Sequence, residues 1–313
     1  MGRFVAGQSS AMDSLVQSTI KMIGEEIDAL KIPRLAGVVL GGGYGRGEGG
    51  VFVQDDVERL SNDLDFYVVA EEGATDADIG AIDAALEPIS GKWTAELGID
   101  VDFCTAKTPW RLRHDQDRLM IQELIHGYHD VAGKKGEELF AGVEKRDASA
   151  FPWLEAARLL MNRGAGLAMA MESDDEAFIV RNINKCILGA GDARLIAHGK
   201  YRWKAVERSA ALGDRLYASA LEWKFRPSPA AICTWEDARK AWLEAEAEIM
   251  SCGEGGSRSL YSAVRWVVRR RTLGEIGTFG EDPVVRILKR ISGVVRSRGS
   301  FTPDLKKDWI VFN

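Results

Sequence analysis

Leu40-Gly41-Gly42-Gly43-Tyr44-Gly45-Arg46-Gly47-Glu48-Gly49-Gly50, followed ten residues later by Ser61-Asn62-Asp63-Leu64-Asp65-Phe66-Tyr67-Val68-Val69, is the stretch whose reading decides the fold. The apolar run Leu35 to Leu40 leads into the glycines as a short buried strand, and Leu64 to Ala70 reads as a second strand. Successive N–H groups in a glycine-rich turn can bind phosphate oxygens, and glycine allows the close approach this needs. Alternate residues of a strand share a face, so Asp63 and Asp65 point the same way with Cα atoms roughly 6–7 Å apart. Two carboxylates so placed can converge on a pair of divalent ions about 3.5–4 Å apart, an arrangement suited to phosphoryl or nucleotidyl transfer.

Outward from this core, Ser10 to Leu30 has apolar residues at helical spacing, and Pro33 stops that helix. Residues 1–9 read as a loose, tag-like start, and Val51 to Leu60 as a loop or short excursion. A helix is expected over Asp76 to Leu86, ended by Pro88 and Gly91, then a strand from Ile99 to Phe103 and a helix from Pro109 to His126. This alternation predicts an α/β (α+β) module over residues 1–148. Residues 149–313 predict an all-helical domain, with helices at 153–171, 175–198, 203–216, 235–251, 258–273 and 283–297. On Ile99 to Phe103, Asp100 and Asp102 again share a face, and one of them would complete a three-carboxylate cluster.

Other glycine motifs fit less well. Gly45, Gly47 and Gly50 satisfy G-x-G-x-x-G, but Asp63 and Asp65 open a strand where a dinucleotide-binding acid would close one. The interval from Gly50 to Asn62 is also too short for a crossover helix. No G-K-[ST] closes the run as in a Walker A loop, and no kinase lysine, catalytic-loop or D-F-G pattern follows.

The glycine pair, Arg46-Gly47-Glu48, Asp63-Leu64-Asp65 and the later strand aspartate together resemble the DNA polymerase beta-like nucleotidyltransferase superfamily. Gly42-Gly43-Tyr44-Gly45-Arg46-Gly47-Glu48 is most similar to the form found in the uridylyltransferases that modify nitrogen-regulatory proteins. The resemblance covers about residues 35–105 and implies a nucleotidyltransferase palm with a mixed sheet, two Mg²⁺ ions (Mn²⁺ as a substitute) and a nucleoside triphosphate donor. By motif position, Gly42 and Gly43 would hold the triphosphate, and Asp63 and Asp65 would bridge both metals. Asp102 would be the third carboxylate, at the acceptor hydroxyl, with Asp100 as the alternative. Tyr44 and Arg46 are counted with the nucleotide-binding residues. Twenty positions separate Gly43 from Asp63, longer than the family's usual connection, and Gly43 stands where many members have serine.

In this superfamily a helical domain often follows the palm and closes over the nucleotide. Arg181, Lys185, Leu188 and Asp192 lie on one helical face, so Arg181 and Lys185 are candidate nucleotide-binding residues. Arg158 and Asn162 form a similar pair, while Tyr201 and Trp203 read as core. His126 and His129 lack further ligands at zinc-site spacing and read as a helix end followed by a strand. The basic run Arg269-Arg270-Arg271 reads as a solvated helix face.

Composition bounds the function. The 313 residues are 46% hydrophobic and 28% charged, with net charge −6, as expected of a soluble globular protein. Such a balance disfavours coating of nucleic acid or an acidic membrane, so a small-molecule or protein hydroxyl is the favoured acceptor. No apolar stretch is long enough to span a bilayer. Four dispersed cysteines, and no signal-peptide pattern, predict reduced thiols and a cytoplasmic location. Two other readings fit the same residues: a catalytically silent nucleotide-binding regulatory module, and the nucleotidyltransferase half of a toxin–antitoxin pair. Nothing in the residues chooses among ATP, UTP, CTP and GTP.

Overall fold

The computed structural model describes residues 2–7, 9–228, 232–255 and 282–312. The chain divides into two compact units. The first comprises Met1–Arg146 with Glu222–Ser228, and the second Asp147–Leu221 with Pro229–Asn313. The seven residues from Glu222 thus group with the first unit, although the sequence reading assigns them to the helical half.

The first unit is a mixed α/β structure. Its elements are α1 (Ser10–Leu30), β1 (Leu35–Leu40), α2 (Gly42–Gly45), β2 (Val51–Gln54), β3 (Val57–Leu60), β4 (Leu64–Ala70), α3 (Asp76–Leu97), β5 (Val101–Lys107), α4 (Pro109–His114), α5 (Leu119–His126), β6 (His129–Gly133) and α6 (Gly136–Leu139). Four strands form one sheet in the order β5-β4-β1-β6. β1 is antiparallel to β4 and β6, whereas β4 and β5 are parallel. Leu64, Phe66 and Val68 of β4 and Val101 of β5 point to one face, against Ile20, Ile23 and Ile27 of α1 and Ile82, Leu86 and Trp93 of α3. Val39 and Val69 point to the other, against Leu112 of α4, Ile121, Leu124 and Ile125 of α5, and Leu139 of α6. Helices therefore cover both faces, and the near-continuous apolar runs of β1 and β4 follow from burial on both sides.

Four expectations are corrected. α3 does not stop at Pro88 but continues to Leu97, where Gly98 closes it in the left-handed conformation. An interior proline costs about 3 kcal/mol, yet the buried stripe Ile82, Leu86, Ile89 and Trp93 runs on past it, and packing outweighs the loss. The strand expected at 99–103 lies at Val101–Lys107, and the helix expected at 109–126 is broken into α4 and α5. Val51–Leu60 is a β-hairpin whose register pairs Val51 with Leu60 and Gln54 with Val57. Its two tip residues, Asp55 and Asp56, have φ of 51° and 62°, the handedness a two-residue hairpin turn requires.

Residues 2–7 are likewise no loose tail. Phe4 and Val5 are wholly buried. The Asp13 carboxylate accepts the N–H groups of Arg3 (2.8 Å), Phe4 (2.8 Å) and Val5 (3.1 Å). Val5 forms a parallel bridge with Gly49. Gly49 N–H donates to Phe4 O (3.0 Å) and Ala6 N–H to Gly49 O (2.9 Å), so this segment fastens the end of the glycine run.

The second unit contains, among its described residues, helices and no strand: α7 (Trp153–Met171), α8 (Glu176–Ala197), α9 (Ala205–Leu212), α10 (Arg215–Phe225, whose last turn belongs to the first unit), α11 (Trp235–Gly255), and helices Pro283–Ser297 and Pro303–Phe312. The helix expected at 203–216 is instead the pair α9 and α10, separated at Gly213. Trp242 packs against Gly164 of α7 and donates from its indole N–H to Leu160 O (2.8 Å). Tyr201 and Trp203 stack edge-on with Phe151 as core aromatics. The segment 258–273, with Arg269, Arg270 and Arg271, lies outside the described residues. No described helix is long and apolar enough to cross a membrane.

Asp13→Ala leaves three consecutive N–H groups without their acceptor. Hydrogen bonds to charged groups are worth roughly 1.5–3 kcal/mol, so unfolding in urea is expected to show a loss of about 2 kcal/mol. An unchanged urea midpoint would mean that Phe4 and Val5 dock by packing alone.

Candidate functional site

The glycine run leaves β1 as the short helical turn α2. Gly41 N–H donates to Asp65 O (2.8 Å), Gly45 N–H returns to Gly41 O (2.7 Å), and Glu48 N–H returns to Gly43 O (2.8 Å). The first amides of a helical turn have no intrahelical acceptor. Among the described residues none is supplied to Gly42, Gly43 or Tyr44 from elsewhere. Gly42 has φ of 60°, and a Cβ there would run into the Asp65 carboxylate, 2.8 Å from its carboxyl carbon. At Gly41 a Cβ would lie 2.6 Å from the Tyr67 ring. Only a backbone without side chains can lie this close over β4. At Gly43 the nearest atom to a Cβ would be 3.6 Å away, an ordinary contact.

Asp65 belongs to the β4 face that carries Tyr67 and Val69. In the parallel pairing Asp65 is the register partner of Asp102, and Tyr67 of Cys104. Parallel partners share a face, so the two carboxylates are neighbours across the strand boundary. Asp63 and Asp100 immediately precede their strands, and Leu64 N–H donates to Asp100 O (2.9 Å), which aligns the two strand starts. Partial burial, then the charges of Asp63 and Asp100, raise the Asp102 carboxyl above its ordinary range. Burial and the nearby Asp65 push the Cys104 thiol up to about 11. The same field reaches Tyr67, whose hydroxyl is raised by burial and then by Cys104 and Asp65. Four acidic side chains thus sit at one end of the sheet, next to the glycine turn. Among the described residues, no group of three or more His, Cys, Asp or Glu side chains is gathered tightly enough to hold a metal ion unaided.

Other expected site residues have structural work. Tyr44 is wholly buried, and burial pushes its hydroxyl up to about 12. That hydroxyl donates to Gly50 O (2.9 Å) and accepts from Ser61 N–H (3.2 Å) and Asn62 N–H (3.4 Å). The Tyr44 side chain therefore bolts the glycine run to the turn before Asp63, and only its amide is left to offer. Arg46 is largely buried, with its guanidinium between Glu48 and Glu123, each at 3.5 Å. These ion pairs brace the glycine turn. Arg181 and Lys185 lie half-buried four residues apart on α8 of the second unit, and Leu188 and Asp192 continue their face. Asp192 is taken by Tyr217 (2.7 Å) and Arg208 (2.8 Å), and Arg158 pairs with Glu155 (3.2 Å). His126 ends α5 and His129 opens β6, as read from the sequence.

Three residues that hold the turn escape a sequence reading. The wholly buried Glu48 carboxylate pairs with Arg46 and with Lys224 Nζ (3.8 Å). Lys224 arrives from the far end of α10, with no local pattern to announce it. Asn62 Oδ1 accepts Gly50 N–H (2.6 Å), which closes the base of the hairpin. Of the three, Glu48 alone leaves a trace in the sequence, within Arg46-Gly47-Glu48.

No protein-family model matches this chain, and comparison with curated proteins returns no match.

The two central glycines separate by substitution. Gly42→Ala places a side chain in a left-handed conformation against Asp65 and is expected to cost about 2–4 kcal/mol of stability. Gly43→Ala is expected to stay within about 1 kcal/mol of the parent. Denaturant unfolding of both proteins checks the order, and equal losses would contradict the contact between Gly42 and Asp65.

Proposed function

We propose that the first unit is a nucleotidyltransferase palm that moves a nucleoside monophosphate from a nucleoside triphosphate to a hydroxyl acceptor, releasing pyrophosphate. The observation that carries this reading is the close packing of the Gly42 backbone against Asp65, with Asp65 in register beside Asp102. A phosphate cradle and a carboxylate cluster are the two parts that nucleotidyl transfer requires, and here they adjoin.

The residues fit magnesium in donor chemistry. All four are carboxylates, the hard oxygen ligands that Mg²⁺ prefers, and Mg²⁺ commonly takes one or two of them together with phosphate oxygens and water. That pattern agrees with a site that no three side chains complete alone. Asp63, Asp65 and Asp102 would hold the ions, with Asp100 as the outlying fourth. Bound there, Mg²⁺ supplies neutralisation of charge on the phosphates.

The chain's own part is positioning. The amides of Gly42 and Gly43 would take phosphate oxygens, because they are the donors left open where the backbone crosses Asp65. Asp102, the most solvent-accessible carboxylate of the register pair, would orient the acceptor hydroxyl and draw off its proton. The Tyr44 and Glu48 contacts keep the cradle fixed against the carboxylates, so little reorganisation is left for the reacting state. The hairpin Val51–Leu60 leaves the cradle and re-enters at the aspartates, which makes it the natural wall for an acceptor. The first 146 residues carry 26 Asp and Glu against 15 Lys and Arg, a balance of −11 that favours a small molecule or protein over a polynucleotide.

A second reading, a nucleotide-binding module without turnover, draws on one observation: the carboxylates do not form a closed metal site. Incubation with α-labelled triphosphates, Mg²⁺ and a cell extract separates the two. Transfer of label is expected, with a loss of more than about 100-fold in Asp65→Asn and in Asp102→Asn, and abolition by EDTA. Gly43→Ala is expected to fold normally and bind nucleotide more weakly. Nucleotide binding with no label transferred in any arm would favour the silent module.

A further inference from the structure

The β4 face that carries Asp65 carries Tyr67 two residues further on, with Cα atoms roughly 6–7 Å apart. Cys104 stands beside Tyr67 in the parallel register, as Asp102 stands beside Asp65. A second row, neutral where the first is acidic, therefore adjoins the carboxylates. One edge of the Tyr67 ring meets the start of the glycine turn: a Cβ on Gly41 would lie 2.6 Å from Cε2 and 2.7 Å from Cδ2. The half-buried ring also packs against the cluster that holds Ile121, Leu124 and Ile125, so its place beside the turn is fixed. Its hydroxyl lies within the electrostatic reach of Asp65, Glu123 and Arg46, yet among the described residues it makes no hydrogen bond. Tyrosine hydroxyls held in a protein usually find a partner. Tyr44 has three, and Tyr217 donates to Asp192 (2.7 Å). Tyr67 alone of these holds an unused donor next to the proposed site.

We infer, on the nucleotidyltransferase reading of this site, that the Tyr67 hydroxyl donates a hydrogen bond to a phosphate oxygen of the bound triphosphate. A phenol is a neutral donor, as the amides of Gly42 and Gly43 are, and phosphate oxygens accept from donors of both kinds. The cations that accompany the phosphates meet the carboxylates of the adjoining row. Acceptors within the protein are near enough to act on the hydroxyl electrostatically but do not take its hydrogen bond, so the acceptor is supplied by the ligand. The contact with Gly41 places this donor beside the turn whose amides would hold the same phosphates. Tyr67 is thus a binding residue, reached by side chain where the turn reaches by backbone.

Titration calorimetry of the full chain with magnesium tripolyphosphate, which carries phosphates without base or ribose, tests the contact. Tyr67→Phe removes one oxygen and breaks no hydrogen bond among the described residues, so its urea midpoint is expected to match the parent's. Its affinity for magnesium tripolyphosphate is expected to fall about tenfold. The same factor is expected for whichever of the four magnesium α,β-methylene nucleoside triphosphates the parent binds. A loss confined to the nucleotides would move the contact to ribose or base and overturn the phosphate assignment. A lowered urea midpoint would show the hydroxyl at work inside the protein, which also overturns it. Parent-like affinity in Tyr67→Phe, with binding weakened in Gly43→Ala, would remove this contact and leave the nucleotidyltransferase reading standing. Failure of the parent to bind any of these probes would sink both together.

Discussion

The contact between the Gly42 backbone and the Asp65 carboxylate is the constraint around which the first unit is arranged. It demands a residue without Cβ, in a left-handed conformation, at the point where β1 turns over β4. Everything near it serves to keep the turn there. Gly41 packs closely against the Tyr67 ring, the Tyr44 hydroxyl ties the turn to Ser61 and Asn62, and Phe4 to Ala6 pair with Gly49. Such a turn would otherwise be mobile, because glycine loses the most conformational entropy on ordering.

The same end of the sheet gathers four carboxylates. Unit charges about 6 Å apart at an effective dielectric near 20 repel by roughly 3 kcal/mol, and the Asp102 carboxyl is raised by partial burial first and then by the charges of Asp63 and Asp100. Strand starts offer many alternatives to a row of aspartates. Carboxylates gathered beside open amides are what the proposed binding of cations and phosphates would draw on.

Much of the first unit can be read from local pattern. Leu35 to Leu40 and Leu64 to Ala70 announce themselves as apolar runs bounded by turn residues, and both strands fall at those limits. Helix Trp153–Met171 is equally plain from its periodicity. Two of the misreadings share one cause, which is tertiary contacts overriding a local rule. Pro88 is a breaker in any window of ten residues, yet the buried face around it continues through Ile89 and Trp93. Residues 2–7 look featureless until Asp13 captures their amides. The hairpin is hidden because Asp55-Asp56 is a weaker turn cue than Asn-Gly or Asp-Gly. In the candidate site, the aspartates and glycines are legible because their chemistry depends on spacing along the chain. Glu123 and Lys224 are not, because their partners lie far away in sequence and ion pairs leave no periodic trace.

The buried charges around Arg46 show why these hidden partners matter. Arg46 and Lys224 bring two positive charges against Glu48 and Glu123, so the quartet is neutral overall while its centre, Glu48, has no solvent contact. Buried ion pairs contribute little net stability, because desolvation offsets attraction, but losing one member strands the rest. Their physical consequence is directional: Glu48 has one low-energy place to be, between two cations, and Gly43 O already receives its N–H. Three separate chain segments, α2, α5 and Glu222–Ser228, are thereby brought to agree on the position of a single glycine turn. A turn fixed in this way keeps a set distance from Asp65 and Asp102 without rearranging, which is the preorganisation that the proposed in-line transfer would need.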